Sequence, residues 1–139
     1  MSNQMRALRK ERPGVGLTLA RLPVPEPGPE DVLIRVRKTG ICGTDIHIWT
    51  WDEWAARTVP TPMVVGHEFA GEIFELGRAV EGLEVGQRVS GEGHLIGKTS
   101  RQARAGRFHH DPETKGIGVN VPGAFAEYLV LPAFNAVPL

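Results

Sequence analysis

From Asp31 to Lys38 apolar and charged residues take turns, with Ile34 and Val36 on one side and Arg35 and Arg37 on the other. A period of two marks a strand with one face in a core. Phe69 to Leu76, closed by Gly77, predicts a second such strand, Val85 to Ser90 a third and Phe125 to Leu131 a fourth. Ahead of them, Met5 to Arg9 and Leu17 to Leu22 read as an opening hairpin with Pro13-Gly14 at its turn, and Met1 to Gln4 as a frayed end. Pro23 to Pro29 carries too many prolines for a hydrogen-bonded ladder and should run extended over the surface. Gly43 to Trp54 loses the alternation and gathers aromatics, which predicts one or two short helical turns, with Asp45 as a capping residue.

Seventeen glycines and eleven prolines punctuate the 139 residues, so turns come too often for long helices. Short strands with such turns predict a mainly β fold, a partly open barrel with short helices, formed as one domain over residues 1–139. Sixteen basic and sixteen acidic side chains cancel, which removes any bulk field for nucleic acid or an anionic membrane. With neither a long apolar run nor a charged-then-apolar leader, the expectation is a chain that does not span a membrane and is not secreted. One cysteine excludes an internal disulfide and fits a reducing cytoplasm. Gly91-Glu-Gly-His-Leu-Ile96 and Gly116-Ile-Gly-Val-Asn-Val121 both lack the last glycine of the dinucleotide fingerprint, so a Rossmann domain is not expected.

The single cysteine, Cys42, lies in Gly40-Ile-Cys-Gly-Thr-Asp-Ile-His47, and Gly66-His67-Glu68 follows downstream. Thiolate, imidazole and carboxylate are all ligands that Zn²⁺ accepts. The separation is too long for a zinc finger, so a fold would have to bring two loops together. Glu68 reads either as a ligand or as an acid that holds the neighbouring imidazole. Trp49, Trp51 and Trp54 could wall a pocket, but clustered aromatics belong more often to a core, and the core is the expectation for them.

These segments, with Pro62-Met-Val-Val-Gly-His-Glu-Phe-Ala-Gly-Glu72 and Val85-Gly-Gln-Arg-Val89, closely resemble the catalytic domain of the zinc-dependent medium-chain alcohol dehydrogenases. Within that superfamily, His47-Ile-Trp-Thr-Trp-Asp-Glu-Trp54 and Lys115-Gly-Ile-Gly-Val-Asn-Val-Pro-Gly-Ala-Phe-Ala-Glu-Tyr128 resemble the L-threonine 3-dehydrogenase branch. The resemblance runs from Met5 to Leu139 and implies the GroES-like fold. It implies Zn²⁺ on Cys42, His67 and Glu68, a proton relay through Thr44 and His47, and His94 lining the pocket of a small alcohol or amino-acid substrate. NAD would be the hydride acceptor of the full-length enzyme, and full-length relatives are expected to be homo-oligomers. Two other readings stay open: a non-catalytic or engineered barrel scaffold, and a domain of another alcohol or polyol dehydrogenase.

The chain departs from its family in two ways. The resemblance implies a second, structural zinc on four cysteines, whose positions fall on Gly97, Ser100, Ala103 and Asp111. None supplies a thiolate, so the expectation is an open polar loop from Gly97 to Thr114, with the adjacent His109 and His110 solvated rather than metal-binding. The resemblance also places the cofactor domain and a further acidic ligand beyond Leu139. The 139-residue chain is therefore expected to be inactive alone and to hold zinc weakly.

Overall fold

A computed structural model describes residues 4–139. β1 (Gln4–Lys10) and β2 (Thr18–Pro23) form the expected antiparallel hairpin, and Gln4, expected to fray, pairs with Pro23. Residues 1–3 of that expected end lie outside the described residues. Lys10 is fully buried, and its ammonium donates to the carbonyls of Gly14 (2.6 Å), Gly16 (2.8 Å) and Trp49 (3.3 Å). Burial lowers its pKa, because the cation is taken out of water and meets carbonyl dipoles rather than a countercharge.

β3 (Asp31–Gly40) is the spine of the fold. Two helices follow, α1 (Gly43–Thr50) and α2 (Glu53–Thr58), then β4 (Met63–Val64) and β5 (Glu68–Leu76). β3 pairs with β5 on one edge and with β9 (Tyr128–Pro132) on the other. Its expected alternation holds only in part: Val32, Leu33 and Ile34 are consecutive and all buried. The register shifts between Leu33 and Ile34 and again between Val36 and Lys38. Such bulges bend a strand and turn successive side chains inward.

The remaining strands are β6 (Arg88–Gly91), β7 (His94–Leu95), β8 (Lys115–Gly116) and β10 (Ala136–Pro138), with α3 (Arg101–Arg104) between β7 and β8. Five strands make a curled sheet in the order β10-β6-β5-β3-β9, three more make β2-β1-β4, and β7 pairs with β8. Residues 125–127 join the two larger sheets: Leu8 N donates to Phe125 O (2.7 Å), Glu127 N to Arg6 O (3.1 Å) and Val36 N to Glu127 O (3.0 Å). This half-closed seam is the partly open barrel, and it explains why the strand expected from Phe125 becomes regular only at Tyr128. The strand expected from Val85 likewise starts late, at Arg88. Gly86 turns there with φ +87°, and Val85 points to solvent.

The barrel core is built on Val32, Ile34, Phe69, Ile73, Val89, Leu129 and Leu131. A second cluster of Ile48, Ala55, Val59, Met63 and Val65 seats the two helices. Ile48 is fully buried, worth about 1.5–3 kcal/mol, so α1 is anchored by its middle. The tryptophans depart from the core expectation. Only Trp51 packs against this cluster, while Trp49 and Trp54 are exposed, because the buried positions of α1 are Asp45 and Ile48 and that of α2 is Ala55.

The segment expected as an open polar loop is folded. Ser100 caps α3 by accepting from Ala103 N (3.0 Å), and a 3₁₀ turn spans Phe108–His110. Asp111, only 6% exposed, gathers the lobe: its carboxylate accepts from Gly97 N (2.5 Å), Ser100 Oγ (2.7 Å) and Glu113 N (3.3 Å). Ala103 of α3 is also buried.

Candidate functional site

Cys42 lies two residues past the end of β3 and is the N-cap of α1, in extended backbone. Asp45, at the third helical position, reaches back so that its Oδ2 accepts from Cys42 N at 2.8 Å. This is the capping role expected of it, and it fixes the cysteine at the helix mouth. Thr44 Oγ lies 3.8 Å from Cys42 Sγ. Thr44 and His47 are three apart on α1, so they share a side of the helix.

His67 follows a backbone that only glycine permits. Gly66 has φ +94°, and a Cβ there would run into the ring of Phe125. Gly118 and Gly123 both press against the Gly66 carbonyl, so three glycines let the strand after β4 meet the loop before β9. Ala124 N closes the contact by donating to Gly66 O at 2.8 Å. His67 is thereby delivered opposite the mouth of α1, and Glu68 lies over Gly40, where a side chain would collide with its carboxylate.

The ligand atoms of Cys42, His67 and Glu68 come within 4.8 Å of one another, the one such cluster of three or more metal-binding side chains among the described residues. Zinc bonds of about 2.0–2.3 Å in a tetrahedron put ligand atoms about 3.3–3.8 Å apart, so small side-chain movements would suffice. His67 Nδ1 faces Asp45 Oδ1 at 3.6 Å, and both atoms are buried without a hydrogen-bond partner. Nε2 is then the nitrogen left for an ion, with Asp45 behind the ring. Donor chemistry, spacing and this orphaned pair all fit Zn²⁺. The Asp45 contact was missed in the sequence, where Asp45 read only as a cap. An acid three residues past the candidate ligand Cys42 was the available signal.

The other histidines are placed unequally. His47 is exposed, its Nδ1 against Asp52 Oδ2. His94 opens β7, and a Cβ on its neighbour Gly93 would sit 3.8 Å from His67 Cβ, so this strand adjoins the ligand cluster. The His94 ring is largely exposed and lines a cleft of about 460 Å³ shared with Phe108, His109 and Phe134. Glu92 Oε1 accepts from both the backbone N (2.9 Å) and Nδ1 (2.6 Å) of His94, and the imidazole holds the Glu92 carboxyl below its usual pKa. The rings of His109 and His110 lie 4.2 Å apart, tilted by 50°, on the surface, while the Asp111 carboxylate is occupied by its own lobe.

Residues 28–139 match the model of the alcohol dehydrogenase GroES-like domain. The chain is 73% identical over 135 residues to L-threonine 3-dehydrogenase of Ruegeria pomeroyi, covering 97% of the chain and 40% of that protein. It is 61% identical, over its whole length and 40% of the relative, to L-threonine 3-dehydrogenase of Sinorhizobium medicae. Among solved structures, a cobalt- and zinc-bound thermostable alcohol dehydrogenase from Pyrobaculum aerophilum superposes with a TM-score of 0.85 at 34% identity, over 97% of this chain and 41% of that one. The chain thus spans about two fifths of the length of the relatives it matches. No described helix is long and apolar enough to cross a membrane. On these matches, the chain belongs to the alcohol dehydrogenase GroES-like domain family.

Proposed function

We propose that this chain is the zinc-binding catalytic domain of an NAD-dependent L-threonine 3-dehydrogenase that works in the cytoplasm and oxidises the 3-hydroxyl of L-threonine to 2-amino-3-oxobutanoate. The convergence of the Cys42, His67 and Glu68 donor atoms carries the reading, and the identity to named threonine dehydrogenases supports the substrate. Cys42 and His67 would hold the ion, with Glu68 as a third ligand that can give way to substrate. When bound, Zn²⁺ supplies Lewis acidity that lowers the pKa of a hydroxyl on it to about neutral, as it does for water. NAD⁺ would supply the hydride acceptor, and the 139 residues carry no dinucleotide fingerprint to hold it.

The chain's own residues handle the proton. Thr44 Oγ accepts it from the substrate hydroxyl and passes its own to His47, whose exposed imidazole releases it to water. Asp45 keeps the His67 ring from turning, and His94 offers its ring to the amino-acid part of the substrate.

The test is cobalt substitution followed by visible and near-ultraviolet absorption. Wild type should show a thiolate-to-cobalt band that Cys42→Ser abolishes and a d–d spectrum that L-threonine shifts more than sorbitol does. Cobalt bound equally well by Cys42→Ser would overturn the site, and a stronger response to sorbitol would overturn the substrate in favour of a polyol dehydrogenase.

A further inference from the structure

The turn that ends α1 sets a carboxylate behind the imidazole of His47. We propose that Asp52 is a positioning residue: it fixes His47 as the Nδ1–H tautomer, so that Nε2 presents the lone pair that takes the relayed proton. The inference rests on the relay role proposed above for His47.

Asp52 uses its two oxygens differently. Oδ1 accepts from Ala55 N at 2.9 Å and so caps α2, while Oδ2 lies in a short contact with His47 Nδ1. The Ala55 amide, and then His47, hold the Asp52 carboxyl below its usual range, so it is ionised at neutral pH. A carboxylate can only accept. In the neutral imidazole Nδ1 must therefore carry the hydrogen, and Nε2 is left as the acceptor.

The backbone keeps this geometry. Trp51, at φ 60° and ψ 51°, is the one residue other than glycine with positive φ among those described. That left-handed turn folds the chain back, and the N–H groups of Trp51 (2.9 Å) and Asp52 (3.3 Å) both donate to His47 O. The buried Lys10 ammonium braces the turn from below, 5.1 Å from the centre of the Trp51 ring and bonded to Trp49 O. On the outside, the Trp54 ring meets the imidazole edge-on at 6.1 Å. A left-handed tryptophan is retained here because its surroundings over-determine it, as at other functional turns.

The experiment is long-range ¹⁵N–¹H correlation NMR of the histidine rings in the metal-free chain at a pH of about 8, where ordinary imidazoles are neutral. Wild-type His47 should show a protonated Nδ1 and a bare Nε2. Asp52→Asn keeps an oxygen for Ala55 N but turns an NH₂ toward His47. It should invert the tautomer, moving the bare-nitrogen resonance from Nε2 to Nδ1. Asp52→Ser keeps a cap on α2 and loses the contact, so the Nδ1–H preference should vanish while backbone amide shifts of α1 and α2 stay in place. A wild-type ring with hydrogen on Nε2, or an Asp52→Asn ring still carrying it on Nδ1, would overturn the proposal. Neither outcome depends on cobalt or threonine, so this inference and the proposed function fail separately.

Discussion

Two polar clusters, each closed over a stretch of loop, behave oppositely. Around Cys42, His67 and Glu68, ligand atoms converge from three backbone positions, and the nearby Asp45 Oδ1 and His67 Nδ1 are buried without partners. Around Asp111, both carboxylate oxygens are engaged by protein donors. The first cluster is incomplete as protein chemistry: Asp45 Oδ1 and His67 Nδ1 are left unpaired beside a donor set of thiolate, imidazole and carboxylate that Zn²⁺ accepts. The second is complete, with each carboxylate oxygen accepting from at least one neutral protein donor. Their difference teaches that a lobe resembling a metal-held one keeps its fold when a single anion takes the centre and backbone amides supply the positive ends.

The comparison breaks most severely if the second cluster is turned back into the first kind. Combining Gly97→Cys, Ser100→Cys, Ala103→Cys and Asp111→Cys removes the anion and offers four thiolates at the positions that Asp111 now draws together. Structural zinc contributes about 10–16 kcal/mol in small domains. The quadruple variant should bind one more Zn²⁺ tightly and lose more than about 10 °C of melting temperature in a strong chelator. Wild type should melt within about 2 °C of the same midpoint with and without chelator, on that same scale. A comparable fall in wild type would mean that metal still holds this lobe.

The first cluster can be sharpened from behind. Asp45 is 3% exposed and spans both segments of the cluster, holding Cys42 N with one oxygen and facing His67 Nδ1 with the other. Losing such a partner behind a ligand lowers metal affinity about 10–100-fold. Asp45→Ala should weaken cobalt binding in that range and, through the lost cap, cost about 1 kcal/mol of stability. Asp45→Asn should keep most of the cap while still weakening the metal. Unchanged affinity in both variants would show that the 3.6 Å approach has no hold on the ligand.

The grouping of Cys42, His67 and Glu68 was legible because Gly-Ile-Cys-Gly-Thr-Asp and Gly-His-Glu resemble stretches of one family. The residue types alone were only suggestive, since a lone cysteine is usually a small buried hydrophobe. The fold class was legible from the alternation in β3 and β5. What escaped depends on backbone angles and distant partners. Nothing local announces that Trp51 turns left-handed, and that turn alone brings Asp52 onto His47. Lys10 reads as the polar end of a hairpin, yet carbonyls from residues 14, 16 and 49 enclose it. Asp111 looked like part of a solvated His-His-Asp run, because the donors that bury it arrive from Gly97 and Ser100, more than ten residues away.

Within the second cluster, Asp111→Ala tests whether the carboxylate is its centre. The substitution leaves Gly97 N and Ser100 Oγ without their acceptor, and Ala103 loses nothing directly. The melting midpoint should fall by about 5 °C, and amides from 97 to 114 should exchange faster while those of β5 do not. Asp111→Asn, with one oxygen and one donor, should fall between. A lobe as protected in Asp111→Ala as in wild type would move its organising contacts elsewhere.

The smallest effect is acid sensitivity confined to that lobe. Ser100 Oγ–H first, then the amides of Gly97 and Glu113, hold the Asp111 carboxyl below its ordinary pKa of 3.8. The unfolded lobe therefore takes up the proton at higher pH than the folded one, and folded stability drops as pH falls. The contribution is whole above about pH 5 and is lost as pH falls from the ordinary carboxylate range through the depressed value. Glu30, Asp52, Glu72, Glu92 and Glu127 are depressed as well, by partners of their own, so the global melting curve will blend all of them. The local readout is the exchange protection of the Gly97 amide relative to Ile73 in the centre of β5. Their ratio should hold steady down to about pH 5 and then fall for wild type. In Asp111→Asn, which cannot ionise, the ratio should begin lower and stay flat. A ratio that falls equally in both proteins would assign the acid response to another group and leave the Asp111 contacts as neutral hydrogen bonds.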